Sequence, residues 1–126
     1  MADPKAATSP LRGGELNAAV TSALVGIQNE HLGRGPKSAS TFHQGNVIVT
    51  LMREVMTPAE RTLAQSGNGP AVTSMRHLLQ ETMQSDFNAA IERLTGLRVV
   101  AFISGNHIEP DMAAEVFVMD RTLQAD

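Results

Sequence analysis

The stretch from Thr57 to Gly96 constrains this chain most. It reads as a short helix, a glycine turn and one long amphipathic helix. Thr57, Pro58 and Glu60 form a capping-box signature: the Thr57 hydroxyl can accept from the Glu60 N–H, and the Glu60 carboxylate can reach back to the Thr57 N–H. Pro58 falls at the first helical position, where its missing N–H costs nothing. Gly67-Asn68-Gly69 then breaks the helix and Pro70 opens the next. In that second helix Val72, Met75, Leu79, Met83, Phe87, Ala90, Ile91 and Leu94 recur at steps of three and four, which predicts one apolar face. Arg76, Gln80, Gln84, Asn88 and Glu92 fall between them and read as its wet side. Gly96 supplies the stop. Whether Ser85-Asp86 divides the helix is left open by the pattern.

The chain around this stretch is readable in order. Residues 1–14 are rich in Ala, Pro, Ser, Thr and Gly and read as a mobile tail. From Glu15, the apolar positions Leu16, Ala19, Val20, Ala23, Leu24 and Ile27 predict a helix that ends at His31-Leu32, with Gly33 as its stop. A hairpin follows, with Ser38 to His43 and Val47 to Arg53 as strands. Val47, Val49 and Leu51 share one face, and Ile48, Thr50 and Met52 the other. Both faces are apolar, so one is expected on the helices and the other against a second subunit. After Gly96 a second hairpin is predicted. In it Leu97, Val99, Ala101 and Ile103 share one face, a long turn starts at Gly105-Asn106, and a return strand runs from Ala114 to Asp120. Residues 122–126 are expected to fray. The reading is a single α+β domain over 15–121, in two layers, with order α-β-β-α-α-β-β. A four-stranded, mainly antiparallel sheet carries its helices on one face.

Composition narrows the function classes. A chain of 126 residues is long enough to bury one core. Without cysteine there is no disulfide, thiolate nucleophile or Cys-ligated zinc. A net charge of −3 gives no general attraction to nucleic acid or anionic lipid. No apolar run approaches the roughly 18 residues that span a bilayer. The N-terminus lacks a hydrophobic signal segment, so a cytoplasmic location is expected. His31, His43, His77 and His107 show no metal-ligand spacing, and no nucleophile-elbow pattern is present. Met52, Met56, Met75, Met83 and Met119 fall at apolar positions and read as core filler.

One segment is less easily explained by folding alone. Gly33-Arg34-Gly35-Pro36-Lys37 follows a helix, so it is neither a phosphate-binding loop before a helix nor a dinucleotide fingerprint. Exposed backbone N–H groups with Arg34 and Lys37 could hold a phosphate, carboxylate or bicarbonate. Equally, Arg34 could complement the negative end of the preceding helix.

The blocks HLGRGP at His31 to Pro36, NVIVTL at Asn46 to Leu51, MTPAERTLAQSGNG at Met56 to Gly69 and ERLTG at Glu92 to Gly96 together resemble one bacterial family. This is the MpsC-like component of Na⁺-translocating membrane-potential-generating systems. The resemblance covers 15–121. It implies a soluble bacterial protein, sometimes encoded beside a two-component membrane system for inorganic-carbon uptake or ion translocation. It brings no catalytic residues. The matching positions are Gly33, Arg34, Gly35 and Pro36, then Thr57, Glu60 and Leu63. Capping and packing account for the second set. A chain stop does not require Arg34, so the first set is the expected binding site.

The resulting expectation is a non-enzymatic accessory or regulatory protein that forms a homodimer through sheet or helix faces. It would use Gly33, Arg34, Gly35 and Lys37 to bind a small bicarbonate- or phosphate-like anion, or a protein partner of the transport system at the inner face of the membrane. No catalytic residue, metal or cofactor is expected. Two other classes remain as alternatives. One is a nucleic-acid-binding α+β module, against which stand the acidic balance and the lack of a GXXG loop. The other is a small hydrolase or isomerase in which His43 or His107, both near hairpin ends, works with Glu109.

Overall fold

A computed structural model of the chain describes residues 10–124. Its elements are α1 (Gly13–Leu32), β1 (Ser38–Gln44), β2 (Val47–Arg53), α2 (Pro58–Leu63), a wide turn (Ala64–Asn68), α3 (Gly69–Thr95), β3 (Val99–His107) and β4 (Met112–Met119). The strands form one sheet in the order β1-β2-β4-β3, with every neighbouring pair antiparallel. Two hairpins therefore meet along their second strands. Helix α1, before the first hairpin, and α3, between the two, cover one face, giving the two-layer α+β arrangement expected from the sequence.

The capping box forms as read. The Glu60 N–H donates to Thr57 Oγ1 at 3.2 Å, and the Thr57 N–H donates to Glu60 Oε1 at 2.9 Å. Thr57→Ala should therefore cost about 1 kcal/mol in a urea unfolding experiment, with Thr57→Ser recovering most of it. A loss-free Thr57→Ala would mean that packing alone starts α2. Helix α3 runs unbroken through Ser85-Asp86 for 27 residues.

The core lies between α1, α3 and the inner sheet face. Leu16, Val20 and Leu24 of α1 meet Met83, Phe87 and Ile91 of α3 over Ile48, Met52 and Phe117. Phe87, Phe102 and Phe117 stack in sequence, with ring centroids 6.1 and 5.1 Å apart. These edge-on and tilted contacts tie the second half of α3 to the β3–β4 hairpin.

Several expectations are corrected. The buried face of α3 is Val72, Arg76, Gln80, Met83, Phe87, Ala90, Ile91 and Thr95, so Arg76 and Gln80 point inward. Met75 is instead exposed and Leu79 only half-buried. Stepping back by three or four from Met83 reaches Gln80, Arg76 and Val72, and helix geometry holds that row together whatever its side chains. Gln28 is likewise buried on α1. In β3 the pairing register shifts between Val99 and Ala101. That bulge turns Val99 inward with Phe102, away from Ala101 and Ile103. The strand also continues to His107, so Asn106 is a strand residue and not part of a turn.

The chain ends also depart from expectation. Residues 10–14, expected in the mobile tail, are engaged: α1 starts at Gly13 and the Leu11 N–H donates to the Leu94 carbonyl at 3.0 Å. Residues 1–9 lie outside the described part. At the other end, Leu123 is buried and its N–H donates to the Gly45 carbonyl at 2.9 Å, so fraying does not begin at 122; residues 125–126 lie outside the described part.

A cross-strand feature organises the sheet. Thr41, Thr50, Glu115 and Ser104 are register partners in a row on the inner face. The next row, Phe42, Val49, Val116 and Ile103, is apolar and points outward. At this level the sheet is polar inside and apolar outside.

A candidate oxyanion cleft and the buried network behind it

The Gly33–Lys37 loop is shaped by its glycines. Gly33 takes a left-handed conformation (φ 75°) and its N–H returns to the Asn29 carbonyl at 2.9 Å, closing α1. At Gly35 a Cβ would meet Asn29 Nδ2 at 3.1 Å and Val25 Cγ1 at 3.2 Å, so a side chain there would push these α1 side chains back by a few tenths of an ångström. The Lys37 N–H then pairs with the Arg53 carbonyl at 3.0 Å and feeds the chain into β1.

This geometry delivers Arg34, Gly35 and Lys37 to a cleft whose other wall is α2 and the loop before it. Glu54, Pro58, Arg61, Thr62 and Gln65 complete the lining. Three cations thus converge, from the loop after α1 and from α2. Lys37 Nζ lies 3.5 Å from Glu54 Oε2, and Arg61 Nη2 lies 3.6 Å from Asp111 Oδ2. Among the described residues Arg34 has no carboxylate partner. A second cleft adjoins the first through Glu54, Arg61 and Gln65, and its far wall is Ile108 to Met112.

The seam between the two clefts is strained and braced. Glu54 has φ 55°, a left-handed conformation that costs a non-glycine residue of order 1–3 kcal/mol. Its N–H donates to the Asp111 carbonyl at 2.8 Å. The Asp111 carboxylate accepts from the Val55 and Met56 N–H groups at 3.2 and 3.0 Å. The β3–β4 turn therefore holds the 54–56 loop in place.

Behind this loop lies a buried polar network that sequence reasoning assigned to a cap and a wet helix face. Arg76 Nη1 donates to both Glu60 oxygens at 3.1 Å and to the Val55 carbonyl at 3.4 Å. Its Nε donates to Asn106 Oδ1 at 3.1 Å. Asn106 and Gln80 exchange amide hydrogen bonds at 2.9 and 3.3 Å, and Gln80 Nε2 also donates to Glu115 Oε1 at 3.1 Å. The available sequence signal was positional: both Arg76 and Gln80 continue the buried row of α3.

Burial pushes the Glu115 carboxyl up to about 7, while the Ser104 hydroxyl, the Gln80 amide and the Arg76 charge pull the other way. Among the described residues, Glu115 Oε2 has no hydrogen-bond partner of good geometry.

The two secondary candidates do not come together. His43 lies on the inner side of β1, with Nδ1 2.7 Å from Asn17 Oδ1. His107 ends β3 at the opposite edge and opposite strand end of the sheet, with Nδ1 2.8 Å from the Pro110 carbonyl. A shared site is excluded by this register. Glu109 lines the second cleft, whereas His43 and His107 do not. Among the described residues no group of three His, Asp or Glu side chains could hold a metal ion, and no helix is long and apolar enough to cross a membrane.

The family model for MpsC, described as a Na⁺-translocating membrane potential-generating system, matches residues 12–121. The chain belongs to the MpsC family. The matched MpsC segment contains all the described strands and helices, both clefts and the buried network. The uncharacterized protein YrhF of Bacillus subtilis (strain 168) is 25% identical over 99 residues, spanning 77% of this chain and 81% of that protein. No solved structure matches the chain significantly.

Proposed function

We propose that this MpsC-family chain is a non-enzymatic accessory protein of a membrane-potential-generating ion system, acting at the cytoplasmic side and binding an oxyanion in the Arg34–Lys37–Arg61 cleft. The observation that carries the proposal is the convergence of three cations on one cleft, with Arg34 free of a carboxylate partner among the described residues. The strained Glu54 turn at its rim adds weight, because strain of this kind concentrates at binding sites. The family's description supplies the setting. The oxyanion is either a free bicarbonate- or phosphate-like ion or a carboxylate on a protein partner, since the same guanidinium and ammonium groups serve both.

Calorimetric titration with bicarbonate and with phosphate separates these sources. Saturable binding to either salt supports the free ion; binding only to an acidic segment of the membrane partner supports the second. In each case Arg34→Ala should weaken binding by roughly ten- to a hundredfold, the loss of one or two charge-assisted hydrogen bonds. Because Arg34 lies at the surface of the loop, the variant should unfold at the wild-type urea midpoint. Equal affinity for wild type and variant would reject the site.

A further inference from the structure

The sheet's outer face breaks the usual rule for a two-layer antiparallel protein. Such a sheet alternates apolar residues toward the helices with polar residues toward water. Here the outward row Phe42–Val49–Val116–Ile103 is wholly apolar across all four strands. Leu51 and Val118 extend it on either side along the two central strands. Phe42 and Ile103, at the two ends of the row, are 55% and 59% exposed. No element of the described chain covers them.

We propose that this face is the interface of a homodimer, in which two copies pack sheet against sheet. Two observations point to a second copy of the chain. First, the central outward positions carry no ionisable group, so placing the face against itself opposes no like charges. Second, the area suits a weak, concentration-dependent dimer. Four strands ~4.8 Å apart, each rising ~3.3 Å per residue, give a flat footprint of roughly 19 by 23 Å. That projection, about 440 Å² per copy, lies at the small end of specific interfaces, which fits a dimer that dissociates on dilution. A lipid-facing surface would instead carry a basic fringe, and Arg53 at one strand end is the single cation on the outward rows.

The interface is independent of the oxyanion cleft, which opens at the edge formed by the loop after α1 and by α2. Failure of one proposal leaves the other standing. The test is sedimentation velocity on the full chain across a micromolar concentration series. Wild type should sediment as a dimer at the upper end and dissociate on dilution. Val116→Glu, at the centre of the face, and Ile103→Glu, on its edge strand, should each be monomeric throughout. Two variants keep the test valid should one fail to fold, which circular dichroism reports. Leu78→Glu, on the exposed side of α3, should leave the dimer intact. A monomeric wild type at every concentration overturns the proposal, including the case in which it then binds anionic vesicles or another protein. So does a dimer that survives both sheet substitutions, or one that Leu78→Glu alone disrupts.

Discussion

Replacing Arg76 with alanine should destabilise the protein by roughly 3–5 kcal/mol, as expected when one partner of a buried ion pair is removed. The reason is what remains. Glu60 is almost fully buried and receives both of its 3.1 Å charge-assisted bonds from Arg76 Nη1. Without Arg76 its carboxylate keeps only the Thr57 N–H, and the Val55 carbonyl and Asn106 amide also lose a donor. The net worth of the pair is much smaller, because burying both charges costs nearly what their attraction returns. The double variant Arg76→Met/Glu60→Gln should therefore recover a large part of the loss. Urea unfolding of wild type, Arg76→Met, Glu60→Gln and the double variant, alongside Arg76→Ala, reads this directly. A loss under ~1 kcal/mol for Arg76→Ala would mean that water reaches Glu60 and that the network is not a structural brace.

Glu115→Gln should act in the opposite direction and in a pH-dependent way. The carboxyl titrates near its ordinary 4.5 in the unfolded chain and at about 7 in the fold. Below about 4.5 both states hold the proton, and the group has no effect on stability. Between about 4.5 and 7 the unfolded chain releases its proton and the folded chain does not, so stability falls as pH rises. Above 7 the full penalty applies, about 3 kcal/mol from a shift of this size. A glutamine cannot ionise, and its amide can donate toward the neighbouring Ser104 Oγ. The variant should therefore be more stable than wild type at pH 8, with the difference shrinking to near zero by pH 4.5. Thermal unfolding across that range checks it. A pH-independent difference would mean that Glu115 titrates normally.

The network bears on the cleft as well as on stability. Arg76 holds the Val55 carbonyl from inside while Asp111 holds the Val55 and Met56 N–H groups from the turn. Glu60, on α2 one residue before Arg61, is fixed by the same guanidinium. The cation-bearing wall is thereby positioned by the buried Arg76–Glu60 pair and the largely buried Asp111 carboxylate. This arrangement suits a site that must be preformed, since orienting charges in advance reduces the cost of binding.

What could be read in the sequence divides along physical lines. Local signals were legible. The Thr57-Pro58-Glu60 cap, the Gly33 and Gly96 stops, the first hairpin and the period-two pattern of β2 each depend on a few adjacent residues. Non-local compensation was not. Arg76 and Gln80 look like surface residues until Glu60, Asn106 and Glu115, from 16 to 35 positions away, are seen to satisfy them. The Val99–Ala101 bulge was equally hidden, because its cause is the pairing of β3 with β4 and not the composition of either strand. The convergence of Arg34 and Lys37 could be guessed from their spacing. That Arg61 joins them could not, since α2 reaches the loop only through the tertiary fold.

The most direct test of the central claim is an amide-resolved NMR titration of the wild-type chain with bicarbonate, and separately with phosphate, at constant ionic strength. The account predicts saturable shifts confined to Gly33, Arg34, Gly35, Lys37, the α2 residues Arg61 and Thr62, and Gln65 of the wide turn, absent in Arg34→Ala. Shifts that rise linearly without saturating, or that centre on another surface such as the exposed side of α3, would contradict it.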